Sequence, residues 1–85
     1  MNSPKKGRKR ERVKHPAMER YANRFIQIRK EMGYTSAETF ANDKGLERVQ
    51  YARMEAAENW TAISFEKYLQ AVGITHKYFF SEGFD

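Results

Sequence analysis

The sequence predicts an all-α domain of five short helices that follows a basic N-terminal arm. Three observations lead to this prediction. Apolar residues recur at helical spacing from Met18 onward, capping residues and glycines divide the chain into short segments, and no stretch combines strand-like alternation with hairpin turn residues. The 85 residues are enough for one domain if most of the chain joins a single core.

Residues 1–16 carry the excess positive charge of a chain whose formal net charge is +5. Residues 1–14 hold seven bases and one acid, which sum to +6, whereas residues 15–85 hold nine bases and ten acids, which sum to −1. Both prolines lie in this almost apolar-free stretch, so we expect a flexible basic arm over 1–16 and a folded domain over 17–85. The bases of the arm are Lys5, Lys6, Arg8, Lys9, Arg10, Arg12 and Lys14.

The first two helices are predicted from one apolar stripe and one pair of capping residues. The first helix ends at Gly33, and Arg20, Arg24 and Lys30 are expected on its solvent side. Its apolar stripe comprises Met18, Tyr21, Ala22, Phe25, Ile28 and Met32. Thr35 and Ser36 are both N-cap candidates for the second helix, and Glu38 completes a capping box with Thr35. That helix turns Phe40 and Ala41 inward and ends at Gly45.

The remaining three helices follow from the same signals. Leu46 begins the third, with Tyr51 and Met54 as its apolar pair. Thr61 caps the fourth, which ends at Gly73. The apolar residues that the fourth helix is expected to bury are Ile63, Phe65, Tyr68, Leu69 and Val72. Thr75 caps a short fifth helix that ends in Tyr78, Phe79 and Phe80.

Residues 40–55 have the pattern of a helix-turn-helix. Ala41 is small where two helices nearly touch, and Gly45 tolerates the positive φ that the tight turn requires. Leu46, Tyr51 and Met54 seat the second helix. Its outer side presents Arg48, Val49, Ala52 and Arg53, with Gln50 at the margin.

That outer side suits the major groove of DNA. Arginine bonds bidentately to guanine, glutamine to adenine, and valine packs on a thymine methyl group. The alternative is a solvated helix face that carries two arginines, and those arginines alone would favour it. The ordered set of small, turn and apolar positions favours the helix-turn-helix instead.

The chain from about residue 25 to residue 80 resembles the Cro-like, xenobiotic-response-element family of helix-turn-helix repressors, which includes the lambda repressor DNA-binding domain. The segments that carry the resemblance are Phe25-Ile26-Gln27-Ile28-Arg29, Phe40-Ala41, Gly45-Leu46, Arg53-Met54-Glu55, Val72-Gly73-Ile74 and Tyr78-Phe79-Phe80. The resemblance implies a compact five-helix, lambda-repressor-like fold that inserts a recognition helix, about residues 47–56, into the major groove.

Roles for individual residues also follow from the resemblance. It implies that Arg48, Val49 and Arg53 read bases and that Gln50 contacts a base or a phosphate. Ser36 and the backbone N–H of Ala37 would face a phosphate at a helix N-terminus. Arg29 and Glu55 match a pair that joins the first and third helices by an internal ion pair. Among the departures from the family, Glu47 replaces a capping serine and is expected to cap poorly, and Ala57 stands where glycine often follows the glutamate at position 55.

The expected partners are double-stranded DNA and a second copy of the chain. Trp60 and Phe84 lie in or near the dimer region of the family, so we expect them at a dimer or partner surface. A weak homodimer would read a pseudo-palindromic site. A different protein partner stays open as an alternative at the same surface.

Several classes of function have no support in the sequence. There is no cysteine, and the two histidines lie far apart without acidic partners at ligand spacing, so no metal is expected. No phosphate-binding loop or nucleophile motif is present, so we expect no enzyme, no cofactor and no small-molecule ligand. No apolar run has the length of a membrane span. The expected location is the bacterial cytoplasm, at the nucleoid.

The function expected from the sequence is a sequence-specific DNA-binding transcriptional regulator, with repression as the favoured mode. One alternative is an antitoxin or mobile-element regulator that holds a protein partner. The other is an adaptor for nucleic acid, including RNA, or for protein, which lacks sequence preference. The arm either enters or wraps the duplex or acts as a non-specific electrostatic extension.

Overall fold

The computed structural model of the protein describes residues 15–81 and residue 84. Within these residues the chain is all-helical and contains no strand, which confirms the predicted all-α class. A 3-10 turn over Pro16–Met18 precedes α1 (Glu19–Glu31), α2 (Ala37–Lys44), α3 (Arg48–Glu55), α4 (Ala62–Val72) and α5 (His76–Phe79). The predicted arm residues 1–14 lie outside the described part of the chain. Within it, no helix has the length and apolar character needed to cross a bilayer.

Helix α1 buries its apolar stripe as predicted at Ala22, Phe25 and Ile28, but the prediction for Arg24 is wrong. Arg24 is only 3% exposed. Its guanidinium donates to the carbonyl oxygens of Phe79 and Tyr78, each at 2.7 Å, and to the side chain of Gln27. The last carbonyls of α5 lack partners within their own helix, and a cation is favoured at a helix C-terminus. Arg24 therefore joins α1 to α5.

Helix α2 begins one residue later than the predicted capping box allows. The Ser36 hydroxyl accepts a hydrogen bond from the Thr39 N–H at 3.2 Å, so Ser36 is the N-cap. Glu38 is consequently not placed to close a box with Thr35, and its carboxylate bonds Arg48 instead. Gly45 ends the helix with φ of +76°, the left-handed conformation that the sequence predicts there.

The caps of α4 and α5 are confirmed. Thr61 accepts from the Ser64 N–H at 3.1 Å, and Thr75 accepts from the Tyr78 N–H at 3.0 Å. The prediction that Ile63 is buried is wrong, since its side chain is 67% exposed. Ile63 lies two residues before the buried Phe65, about 200° around the helix, and therefore points away from the core.

The core is a cluster of aromatic rings around Phe25, which lies 4.8 Å from Tyr68 and 5.1 Å from Phe79 between ring centroids. Trp60 and Phe84, expected at a partner surface, are partly buried against this cluster. The Trp60 ring stacks on Phe65 at 5.0 Å, and the Phe84 ring meets Tyr21 at 5.2 Å. Short helices leave gaps that these rings fill. The large apolar side chains that stay exposed in the described residues are Met32, Val49, Ile63, Tyr78 and Phe80.

The first described residue, His15, lies beside the end of α3. The His15 N–H donates to the Ala57 carbonyl at 3.0 Å, so His15 is held beside the residues that follow α3. Ala57 itself has φ of +65° and is buried, and the Glu58 N–H donates to the Arg53 carbonyl at 3.1 Å. This left-handed alanine occupies the position where glycine is usual in the family that the sequence resembles.

Candidate nucleic-acid interface

Helix α3 packs on α2, and the short turn between them is fixed by a backbone hydrogen bond. Ala41 is fully buried, and its carbonyl accepts the Leu46 N–H at 2.8 Å. Tyr51 and Met54 hold the inner side of α3 against the core. Because the small residue, the turn and the apolar pair act together, the opposite side of α3 is directed outward.

The outward side of α3 consists of Arg48, Val49, Ala52 and Arg53, all of them exposed, and we call it the α3 face. Gln50 is half-buried at its margin, as the sequence predicts. A shallow groove separates the α3 face from the start of α2, and it is lined by Ala37, Glu38, Arg48, Val49 and Ala52. Of the predicted base-reading residues, Arg48 and Val49 line this groove, whereas Arg53 is exposed outside its lining and Gln50 is half-buried at the margin.

Glu47 is a better cap than expected from its residue type. Its carboxylate accepts from the Gln50 N–H at 2.8 Å and from the Val49 N–H at 3.1 Å. These two backbone hydrogen bonds, with smaller contributions from Arg53 and Arg48, hold the pKa of Glu47 below its ordinary value. The expectation of a poor cap is wrong because the longer side chain still reaches both amide groups. It leaves a fixed negative charge at the start of α3.

The expected ion pair between Arg29 and Glu55 is present. Arg29 Nε lies 2.8 Å from Glu55 Oε2, Nη2 lies 3.2 Å from Oε1, and Nη1 donates to the Tyr34 carbonyl at 3.1 Å. The hydrogen bond to Glu55 raises the pKa of Arg29 despite an opposing effect of burial. Arg29 is thus committed to holding α3 on α1 and lies away from the α3 face.

Both arginines of the α3 face are engaged by carboxylates, which sequence reasoning missed. Arg48 pairs with Glu38, and Arg53 Nε lies 3.9 Å from Glu58 Oε1. Glu58 lies five residues after Arg53, just past the end of α3. Helical spacing does not predict that the chain beyond the helix brings Glu58 near Arg53. Glu38 reaches Arg48 from another helix, so only the packing of α2 on α3 brings them together.

The charges around the α3 face do not favour a polyanion by themselves. Arg48 and Arg53 share this region with the carboxylates of Glu38, Glu47 and Glu58, so these five side chains sum to −1. A negatively charged phosphate backbone would gain no long-range attraction from such a surface. Attraction to DNA would have to come from elsewhere in the chain.

The predicted phosphate contacts, Ser36 and Ala37, lie at the N-terminus of α2 beside the groove. The Ser36 hydroxyl already accepts the Thr39 N–H, and it keeps its own proton for donation. The Ala37 N–H belongs to the first turn, whose amide groups have no acceptor within the helix. Both groups are adjacent to the Glu38 carboxylate, which opposes an anion at the same place.

Comparison of the chain with protein-family models, with curated proteins and with solved structures finds no match. The resemblance to Cro-like repressors therefore stays a prediction that depends on the residues quoted above. Within the described residues, no group of three or more histidine, aspartate or glutamate side chains is arranged to hold a metal ion.

Proposed function

We propose that α2 and α3 form a helix-turn-helix of lambda-repressor type, and that the chain binds double-stranded DNA with α3 in the major groove to regulate transcription. One observation carries the proposal. Helix α3 is fixed from behind by Tyr51, Met54 and the Arg29–Glu55 pair while the entire α3 face remains open. A rigid helix with an open polar face is what direct readout of base edges requires.

The spacing along α3 gives the proposal a definite geometry. Arg48 and Arg53 are separated by five residues, a rise of about 7.5 Å at 1.5 Å per residue. Successive bases of one strand are about 3.4 Å apart along the axis. Because five residues also turn the helix by about 140°, the two arginines would address different base pairs from the two sides of the α3 face, with Val49 placed for a thymine methyl group and Gln50 for a base or a phosphate.

The basic arm supplies the attraction that the α3 face lacks. His15 is tied to Ala57 at the C-terminal end of α3, so residues 1–14 start from that end of the recognition helix. Fourteen extended residues reach at most about 50 Å. With seven bases against one acid, this segment can neutralise phosphates on either side of the groove that α3 occupies.

We also propose that the chain forms a homodimer, which would read a two-fold repeated DNA site. A two-fold symmetric pair of chains places two recognition helices about one turn of DNA apart. Because Trp60 and Phe84 are used for packing within the chain, the exposed Ile63, Tyr78 and Phe80 are better placed to meet a second copy or another protein.

The proposal is tested by selecting bound duplexes from a randomised pool with the full chain at about 0.15 M salt, where loose electrostatic binding is weakened. An enriched motif that contains guanines supports readout by α3, and a repeated motif gives the half-site spacing. The net charge of −1 around the α3 face favours one competing function, an adaptor that binds through its arm alone. Binding without any enriched motif would favour that adaptor and overturn our proposal.

A further inference from the structure

The ion pair between Glu38 and Arg48 crosses the groove between α2 and the α3 face. The Arg48 side chain is 55% exposed and the Glu38 side chain 62% exposed, so both groups are accessible to a ligand that enters the groove. Glu38 follows Ser36 and Ala37, the predicted phosphate contacts, and Arg48 is the first residue of α3. The pair therefore lies where DNA backbone and DNA bases would both be contacted.

This pair has different consequences for the two kinds of DNA contact. If a phosphate displaces Glu38 from Arg48, one anion replaces another, and the Glu38 carboxylate is left unpaired beside a polyanion. Contact with phosphate is therefore disfavoured by charge.

A guanine base is neutral, and it offers O6 and N7 as acceptors in a fixed geometry. Glu38 engages Arg48 through Nη1, and a guanidinium has five N–H donors in a planar fork. Arg48 can consequently bond guanine while Glu38 stays attached. The carboxylate opposes the non-specific contact and tolerates the specific one.

We propose that Glu38 is a specificity-determining residue, whose carboxylate lowers the affinity of the α3 face for random DNA more than for the sequence that the face reads. This inference rests on the proposed function. Glu47 and Glu58 are also negatively charged, so the α3 face has little attraction for phosphate. The Glu38 carboxylate beside Arg48 therefore acts on an attraction that is already weak.

The test compares the wild-type full chain with Glu38→Gln on two duplexes of equal composition, one with the selected motif and one with that motif scrambled. At about 0.15 M salt we expect Glu38→Gln to bind the scrambled duplex roughly two- to fivefold tighter, the scale of an exposed ion pair. Binding of the selected duplex should tighten by less than about twofold. The ratio of the two affinities therefore falls.

Two further variants separate the ion pair from charge in general. Glu31→Gln removes the same charge from α1, where Glu31 contacts Tyr78 of α5, and should leave the ratio of affinities unchanged. In an Arg48→Gln background, Glu38→Gln should tighten binding to the scrambled duplex by less, because only direct repulsion between the carboxylate and phosphate is then relieved. An undiminished effect in that background would overturn the inference. Thermal unfolding of each variant checks that the fold is kept.

The outcomes for this inference and for the proposed function are distinguishable. If the wild type prefers the selected duplex and Glu38→Gln leaves the ratio of affinities unchanged, the role of Glu38 is overturned and the proposed function stands. If the wild type binds both duplexes equally, or no motif can be selected, the proposed function fails and the role of Glu38 fails with it.

Discussion

Arg29 of α1 and Glu55, the last residue of α3, form a two-point ion pair with N–O distances of 2.8 and 3.2 Å. Both side chains are largely shielded from water, at 8% and 10% exposure. A third donor of Arg29 bonds the Tyr34 carbonyl, which fixes the chain that leads into α2. One guanidinium thus positions α1, the approach to α2 and the end of α3.

Glu55→Ala should lower the free energy of unfolding by about 3 kcal/mol, because it leaves the Arg29 guanidinium shielded and without its carboxylate. The double variant Arg29→Met with Glu55→Met should lose much less than the sum of the single effects, since no lone charge remains. Urea denaturation measures both quantities. A loss below about 1 kcal/mol for Glu55→Ala would show that the pair does not hold α3 in place.

Arg24→Ala should also destabilise the domain, by about 2–3 kcal/mol, because it removes a buried hydrogen bond to the Phe79 carbonyl and a half-buried one to the Tyr78 carbonyl. Lys30→Ala is the matched control, a base on the same helix that is exposed, and should change stability by less than about 0.5 kcal/mol. Thermal unfolding of the two variants checks the comparison. Equal effects would contradict the role assigned to Arg24.

The buried hydroxyl groups of Tyr51 and Tyr68 predict a loss of stability at alkaline pH. Burial raises the pKa of both groups above the ordinary value of 10.0, so the folded state keeps them protonated where the unfolded state ionises. Stability from these groups is complete below pH 10 and falls above it, by about 1.4 kcal/mol per pH unit for each tyrosine.

Tyr68→Phe provides the check on this pH dependence. The Tyr68 hydroxyl has no hydrogen-bond partner among the described residues, so the substitution should cost little near pH 7. It should also reduce the slope of stability against pH above pH 10, measured by urea denaturation at a series of pH values. An unchanged slope would mean that Tyr68 ionises equally in both states.

The basic arm should strengthen DNA binding without selecting its sequence. A full-length variant with the seven arm bases changed to glutamine should bind all duplexes more weakly and keep the same motif. The slope of log affinity against log salt should decrease by about 0.9 for each phosphate that the arm no longer neutralises. Fluorescence anisotropy at several salt concentrations measures it. A changed motif would show that the arm reads sequence, and an unchanged slope would show that it does not contact the duplex.

Local signals in the sequence were sufficient for the caps of α4 and α5, for the end of α2 and for the direction of α3. Thr61, Thr75 and Gly45 act through groups within a few residues along the chain, so each was predictable from its own segment. The exposure of Arg48 and Arg53 follows from the spacing of Tyr51 and Met54 on the same helix.

Some errors were local, such as the burial of Ile63 and the poor cap at Glu47, and the others occurred where distant segments meet. Arg24 is three residues after Tyr21 and four before Ile28, so its spacing already placed it on the apolar stripe. Its charge suggested a solvent-exposed side chain, and only the position of α5 reveals the carbonyl groups to which it donates hydrogen bonds. Likewise, the partners of Arg48 and Trp60 come from other elements, and neither helical period nor capping pattern carries that information.

Base reading by α3 is best tested by comparing wild-type and Arg53→Ala binding across all single-base variants of the selected motif. We predict that the wild type loses about 1–3 kcal/mol at one guanine contacted by Arg53, and that Arg53→Ala loses the preference at that position alone. If Arg53→Ala and Arg48→Ala each keep the wild-type preference at every position, α3 does not read the sequence and the proposed recognition helix is wrong.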